Sequence, residues 1–576
     1  MKRQLLCYFS CILFFLYSQL QAQAYFQNKA TDVGITGHNG TTYLGNGISF
    51  YDYNNDGWDD ITMGTGSGSA IKMYKNNGDG TFTLDSEFTP ENSYQHKQVI
   101  WVDFDNDGDN DLYVVSDASG SRLYRNDGSS LLDITTACGL PTASMETYGA
   151  SWGDYNNDGY LDVFICNRGE YSAQQNYLYK NNGDGSFSNV SSAAGIDTGS
   201  HLSFCAAFFD YNNDGWQDIY IANDKPQNKN ILYKNNGDGT FTDVSAVSNT
   251  DIGIDAMSVT IADFDHDTWF DIYVTNGIQG NYFLKNNGDG TFSNIASGTG
   301  TMFNSIAWGA VFLDAENDGD LDLYVSSMLD GSIPNYPSAA LYVNDGVHNF
   351  SIESSTGFEN DNGESYSNAI GDSDNDGFPE IIVNNSGNEN MFFWKNQTTS
   401  SNNWLKVQLE GVSSNKQGIG ATIEIRSAGI SQYRYTVCGE GYISQNSSTE
   451  FFGIGANTTI DYVKVTWLGG AQDIIYNVTS NQTLNIPEGS SPLSTEEFQA
   501  KNGVQVYPNP TTGNLFVQTN TNELYNYEVF DSRGVAVQKG KLTSQNSVNL
   551  AMLAKGYYIL KIFNKNAVFN KKIMLK

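Results

Sequence analysis

One nine-residue acidic pattern recurs seven times between residues 52 and 380, and no other feature constrains the fold as strongly. The copies are Asp52-Tyr-Asn-Asn-Asp-Gly-Trp-Asp-Asp60, Asp103-Phe-Asp-Asn-Asp-Gly-Asp-Asn-Asp111, Asp154-Tyr-Asn-Asn-Asp-Gly-Tyr-Leu-Asp162, Asp210-Tyr-Asn-Asn-Asp-Gly-Trp-Gln-Asp218, Asp263-Phe-Asp-His-Asp-Thr-Trp-Phe-Asp271, Asp314-Ala-Glu-Asn-Asp-Gly-Asp-Leu-Asp322 and Asp372-Ser-Asp-Asn-Asp-Gly-Phe-Pro-Glu380. Their starts lie 51, 51, 56, 53, 51 and 58 residues apart. A second pattern follows each by 21 to 28 residues, as in Tyr74-Lys-Asn-Asn-Gly-Asp-Gly-Thr-Phe82 and Tyr233 to Phe241. Period-two apolar runs flank both patterns, and Asn-Gly and Asp-Gly supply the positive φ of tight turns. Each unit therefore reads as four short strands with an acidic loop between the first two. Radial repetition of such a unit is the mark of a β-propeller, here with seven blades.

The seventh unit ends at Trp394-Lys-Asn396 without a fourth strand. The segment Phe26-Gln-Asn-Lys-Ala-Thr-Asp-Val-Gly-Ile35 matches the fourth strands of other units, such as Phe241-Thr-Asp-Val-Ser245. Residues 25–35 are expected to complete the last blade and close the ring.

Oxygens at loop positions 1, 3 and 5, a turn at position 6 and a carboxylate at position 9 suit a hard cation bound by six to eight oxygens, as calcium is. The expected metal ligands are Asp52, Asn54, Asp56 and Asp60; Asp103, Asp105, Asp107 and Asp111; Asp154, Asn156, Asp158 and Asp162; Asp210, Asn212, Asp214 and Asp218; Asp263, Asp265, Asp267 and Asp271; Asp314, Glu316, Asp318 and Asp322; and Asp372, Asp374, Asp376 and Glu380. An EF-hand would need Glu at position 12. That position is Met63, Val114, Ile165, Ile221, Val274, Val325 and Val383, so the loop must close at position 9 and run into a buried strand. This spacing resembles the calcium loops of integrin-type FG-GAP and VCBS repeats over about residues 25–400. The resemblance implies up to seven structural Ca2+ ions. Thr268, Glu316 and Glu380 depart from the pattern, and the fifth loop departs most, because Thr is poor at positive φ.

Residues 401–487 lack the repeat and read as a compact β module, with Gly-rich turns at Gly418-Ile-Gly-Ala421 and Gly439-Glu-Gly-Tyr-Ile-Ser-Gln445. No helix follows those glycines, so they are no nucleotide fingerprint. The stretch is similar to the ASPIC/UnbV domain that follows such propellers in the cartilage acidic protein family. Residues 488–503 read as a linker.

The two ends read as addresses. Lys2 and Arg3, an apolar run from Leu5 to Tyr17 and the exit Ala22-Gln-Ala24 read as a signal peptide over residues 1–24. No other segment is long and apolar enough to span a bilayer. Residues 504–576 form a small β-sandwich with 9 Lys+Arg and 3 Asp+Glu. Its Tyr507-Pro-Asn-Pro-Thr-Thr-Gly513 opening and Lys-rich end resemble the type A C-terminal sorting domain of the type IX secretion system of Bacteroidetes. That implies passage through the periplasm to secretion or the outer-membrane surface, with the secretion machinery as one partner.

The fold class is thus all-β, a seven-bladed propeller followed by two small sandwich-like modules. The net charge of −35 excludes a nucleic-acid partner, which needs cationic patches. Of 65 acidic residues, 28 lie in the seven loops, so the charge is largely a ligand set for cations. His38, His96, His201, His266 and His348 show no triad or zinc spacing, and Cys138, Cys166, Cys205 and Cys438 show no metal pattern. Buried free thiols are expected. The reading is a non-enzymatic binding or adhesion protein that takes an extracellular protein or glycan on rim loops 167–176, 223–230 and 326–340. A polysaccharide-processing enzyme and a purely structural surface component are the alternatives.

Overall fold

The computed structural model describes residues 23–491 except 41, 87, 91–93, 171 and 173, and then 504–519, 525–531, 534–542, 547–564 and 568–576. The leader therefore lies, up to residue 22 and with Cys7 and Cys11, outside the described residues, as does the linker from residue 492. Residues up to Ser490 and from Ser491 form two compact units.

In the first unit the repeat folds as seven antiparallel sheets. Blade three is typical, with strands Thr147–Gly153, Asp162–Asn167, Tyr177–Asn181 and Phe187–Asn189. Alternation along each strand decides which neighbour a side chain meets. In Asp322–Ser327, Leu323 and Val325 join the core shared with blade five, whereas Tyr324 joins the core shared with blade seven. Every blade is thereby glued on both faces. The last such core joins Phe50, Ile61 and Tyr74 of blade one to Ala369, Ile382 and Phe393 of blade seven, so the ring is closed.

The fourth strand of blade seven is Phe26–Asn28, as the truncated seventh unit requires. Phe26 pairs with Asn396, Gln27 with Lys395 and Asn28 with Trp394. Phe26 is fully buried beside Phe358.

The module after the ring is a sandwich. One sheet holds Glu450–Gly453, Trp404–Glu410 and Thr483–Pro487; the other holds Ile430–Tyr435, Thr422–Ser427, Thr459–Thr466 and Gln472–Thr479. Leu405, Val407, Ile423, Val463 and Trp467 fill it. It sits on the face that carries the acidic loops. Trp404 covers Gly377 so closely that a Cβ there would lie 2.1 Å from the ring. Gln417 accepts the Asp103 N–H at 3.0 Å, and Asn402 donates to the Glu316 carbonyl at 2.9 Å.

Residues 438–447 leave this sandwich and plug the propeller channel. The innermost strands of an open ring leave one backbone edge unpaired, which is costly inside a protein. The plug satisfies part of that edge. Ser444–Gln445 adds a parallel strand to Ile48–Tyr51 of blade one. The Cys438 carbonyl accepts Trp152 N–H at 2.9 Å in blade three, Gly441 N–H donates to Val259 at 2.8 Å in blade five, and Ser447 N–H donates to Ile370 at 3.0 Å in blade seven. Gln445 both donates to the Trp101 carbonyl at 2.7 Å and accepts its N–H at 2.8 Å in blade two. Gly439 is required here, because a Cβ would lie 2.5 Å from the Ala150 oxygen. Cys138, Cys166, Cys205 and Cys438 are free and buried.

The second unit packs Val504–Tyr507, Asn514–Thr519 and Ser547–Asn549 in one sheet and Ala536–Lys541, Asn526–Phe530, Gly556–Phe563 and Val568–Leu575 in another. Leu515, Val529, Leu560, Ile562 and Ile573 form its core.

Candidate functional site

Each acidic loop is a turn built by its own carboxylates. The first Asp accepts two backbone N–H groups, from positions 5 and 6: Asp52 takes Asp56 at 3.1 Å and Gly57 at 2.7 Å. Asp103, Asp154, Asp210, Asp263, Asp314 and Asp372 repeat this. The ninth residue opens the second strand and is buried in every blade. In blades one to six one of its oxygens accepts the N–H of the Asn in the third strand, as Asp60 does from Asn76 at 2.7 Å and Asp162 from Asn181 at 2.7 Å. Thr268 takes a positive φ of 79° in the glycine position of loop five, and the loop keeps the shared turn.

Three loops bring three carboxylates within 4.8 Å of one another: Asp103, Asp105 and Asp111; Asp263, Asp265 and Asp271; and Asp372, Asp374 and Glu380. Loops one, three and four place Asn54, Asn156 and Asn212 at position 3 instead. Asn156 and Asn212 turn their oxygens to Asp158 and Asp214 N–H groups at 3.2 and 3.0 Å. In four other loops a position-3 oxygen is left over. Asn54 Oδ1, Asp105 Oδ1, Asp265 Oδ1 and Glu316 Oε2 are buried without a hydrogen-bond partner among the described residues. An unpaired buried acceptor costs about 1–3 kcal/mol. The donor set is all oxygen, mostly anionic, and clustered, which fits a hard divalent cation.

The electrostatics say the same. Burial, reinforced by Asp52, Asp56 and Asp59, pushes Asp60 up to about 9. Burial and the charges of Asp105 and Asp103 push Asp111 up to about 9. Asp103 rises to about 7, and Asp154 and Asp210 to about 6, each first through burial. Glu316, buried among Asp322, Asp318 and Asp314, is raised far above the ordinary carboxylate range. A positive charge is the missing partner in such loops.

Part of that charge is supplied by lysines that the sequence reading passed over. Lys75 lies 3.2 Å from Asp56, Lys180 3.1 Å from Asp158 and Lys234 3.6 Å from Asp214. Lys285 bridges Asp265 and Asp267, and Lys395 meets Asp374 at 2.8 Å and Glu380 at 2.5 Å. The signal was the Lys before Asn in the second pattern, at Lys75, Lys180, Lys234, Lys285 and Lys395. Blade six has Val343 there, beside one of the two loops with five acidic residues. Lys406 of the sandwich adds a buried contact to Asp372 at 2.9 Å.

The opposite face gathers the loops that depart from the repeat. Arg168, just after the second strand of blade three, pairs with Asp224, just after that of blade four, at 2.5 Å. Both are buried. Met328, in the third long loop, packs with Trp308, Phe204 and Tyr442 at the end of the plug.

The chain matches the FG-GAP-like repeat over residues 52–114, 103–165, 154–221, 210–274 and 263–325. It matches ASPIC and UnbV over residues 411–493 and the secretion system C-terminal sorting domain over residues 505–576. It is similar to cartilage acidic protein 1 of Xenopus tropicalis, 27% identical over 187 residues, covering 31% of this chain and 28% of that protein. The human protein of the same name is 25% identical over 225 residues, covering 38% of this chain and 33% of that protein. The chain thus spans about a third of the length of the curated relatives it matches. Among solved structures, BBS1N in complex with ARL6DN, soaked with mercury, matches 62% of this chain and 93% of that chain at 10% identity and a TM-score of 0.40. No helix among the described residues is long and apolar enough to cross a membrane.

Proposed function

The chain combines FG-GAP-like repeats, an ASPIC and UnbV domain and a secretion system C-terminal sorting domain, and from that premise we propose that it is an exported, calcium-loaded, non-enzymatic binding protein. The sorting domain marks the protein for secretion or the outer-membrane surface. Calcium is held by the seven loops through the ligands at positions 1, 3, 5 and 9, and its role is structural. The observation that carries the cation is the set of buried, unpartnered oxygens at position 3, on Asn54, Asp105, Asp265 and Glu316.

Binding rather than catalysis follows from how the acidic groups are spent. The first carboxylate is held by backbone N–H groups of its own loop and the ninth by the Asn N–H of the third strand, which leaves them placed for an ion and not for a substrate. The sandwich covers parts of that face, while the rim loops surround the other mouth. A partner protein or glycan is therefore taken on the rim formed by 167–176, 223–230 and 326–340. Calcium titration of the metal-stripped mature chain by calorimetry tests the first half of this reading; absence of heat with Ca2+ at millimolar concentration rejects it. Exchange of 326–340 for a short turn tests the second half; a variant that keeps its melt and its partner rejects it.

A further inference from the structure

We propose that the channel mouth opposite the acidic loops is a saccharide site, built for one uncharged sugar ring at the end of a glycan. This rests on the reading of the chain as an exported binding protein and adds the ligand class and the place.

The mouth holds a cavity of about 310 Å³ to which blades one, three, four, five and six all contribute. That is the lower end of the range for small-molecule sites. Its inner wall is aromatic. Phe204 and Trp308 meet edge to face at 5.6 Å, and both clamp Tyr442 of the plug, at 5.6 and 4.7 Å. At its lip stands Tyr43, 62% exposed, between half-buried Thr42 and Leu44. Lys97 fixes this lip from behind by donating to the Tyr43 and Gly45 carbonyls. An exposed ring on a fixed backbone offers a flat face to the C–H side of a pyranose.

The polar lining is charge-balanced. Asp224 takes Arg168 at 2.5 Å and Lys225 at 3.2 Å, and Lys225 reaches Asp255 at 3.3 Å. A charged ligand that took Arg168 or Asp224 would break their pair and strand a buried ion, which is strongly unfavourable, while the half-exposed Lys225 and Asp255 already neutralise each other. A polyhydroxylated neutral ligand leaves the pairs intact and uses their spare lone pairs and N–H groups.

One donor is waiting. Trp308 lines the cavity, is 2% exposed, and its indole N–H has no acceptor among the described residues. A buried N–H is costly to leave unpaired, and a small side-chain shift that opened it to the cavity would let a sugar hydroxyl accept it. Leu44 and Lys225 also line the cavity, and both hold positive φ, 60° and 75°. Strain of this kind in residues other than glycine gathers at ligand sites.

The test uses the full calcium-loaded chain on an array of neutral and acidic glycans, followed by calorimetry with the best oligosaccharide. The variants are Tyr43→Ala, which touches no core, and Trp308→Phe, which keeps a ring and removes the N–H. Neutral glycans are expected to be retained; Tyr43→Ala weakens binding about ten-fold with its melt unchanged, and Trp308→Phe weakens it about five-fold while the chain stays folded with a lowered melt. Retention by acidic glycans alone, equal binding by both variants, or no glycan retained overturns the assignment. If no glycan is retained but a purified protein partner is bound and then lost on exchange of 326–340, the saccharide site fails while rim binding stands. If neither is bound, both fail.

Discussion

Asn375 donates to the Gly57 carbonyl at 3.1 Å and so ties blade seven to blade one. Asn55, Asn106, Asn157, Asn213 and Asn317 make the same bond to the next loop's sixth residue, at 2.8 to 3.2 Å. All six hold φ between 55° and 61°, a left-handed conformation that Asn tolerates better than other L-residues. The acidic loops are therefore linked in a belt around the ring. It is interrupted only at position 4 of loop five among the described residues, where His266 has φ 60° and faces Asp320 at 3.8 Å.

Completing the belt should stabilise the ring. His266→Asn keeps the backbone conformation and supplies the missing donor to Gly319. The expected gain is about 0.5–1.5 kcal/mol, the net value of one hydrogen bond. Chemical denaturation at saturating calcium measures it. An equal or lower midpoint would show that the belt follows from the loop shape and adds nothing to it.

The closing strand carries more. Phe26 is fully buried between blades six and seven, and Gly357 packs so near that a Cβ there would lie 1.8 Å from the Phe26 oxygen. Phe26→Ala should cost about 3–5 kcal/mol. Removal of 25–35 opens the ring and should abolish the cooperative melt. A truncated chain that melts as wild type does would contradict the pairing of Phe26 with Asn396.

That closure was legible because several fourth strands share a spelling, Phe followed two residues later by Asn or Asp, and the seventh unit lacked it. The acidic loops were legible for the same reason. The plug was not. Gly439 to Gln445 has no periodicity, and its partners, such as Ser49 and Trp101, lie more than 300 residues away in sequence. Nothing in a Gly-Tyr-Ile-Ser string says that its backbone will pair with channel edges. The lysines on the acidic loops were spelled out in the second pattern, but their contact depends on the third strand lying beside the loop. Arg168 and Asp224 could be placed on one rim by their equivalent positions, yet their pairing required the twist between adjacent blades.

Chelation should unfold the ring from the loops inward. Extracellular calcium modules bind with dissociation constants on the order of 10⁻⁴ to 10⁻³ M. At ten times that concentration each site contributes roughly 1.4 kcal/mol, so seven contribute roughly 10 kcal/mol. Excess EDTA should therefore lower the melting temperature steeply, and added calcium should restore it. A melt that EDTA leaves unchanged would remove calcium from the account of stability.

The plug makes the propeller and its sandwich interdependent. Tyr442 is fully buried, and its hydroxyl donates to the Leu44 carbonyl at 2.7 Å. Tyr442→Phe leaves that carbonyl unpaired and should cost about 1 kcal/mol. Tyr442→Ala also opens a cavity among Phe204, Trp308 and Tyr366, with a loss of about 3–5 kcal/mol. In scanning calorimetry both variants should shift one shared transition of the sandwich and the ring. A variant that moves only one of two resolved transitions would mean that the sandwich unfolds on its own.

His96 sets an acid limit on the fold. It is fully buried, and its Nδ1 accepts the Thr65 N–H at 3.2 Å, so its proton sits on Nε2. Burial lowers its pKa from 6.5 to about 4. Between those values the unfolded chain binds a proton that the native protein refuses, so stability is lost as pH falls through 6.5 towards 4. A displacement of that size corresponds to about 3 kcal/mol at the acid end. His96→Gln removes the titration while keeping a polar side chain in place. The stability difference between wild type and variant should therefore be constant above pH 7 and change by about 3 kcal/mol in the variant's favour by pH 4. Denaturation of both proteins across that range, at saturating calcium, measures it; a difference that does not vary with pH would mean that the imidazole titrates in the fold as it does in the unfolded chain.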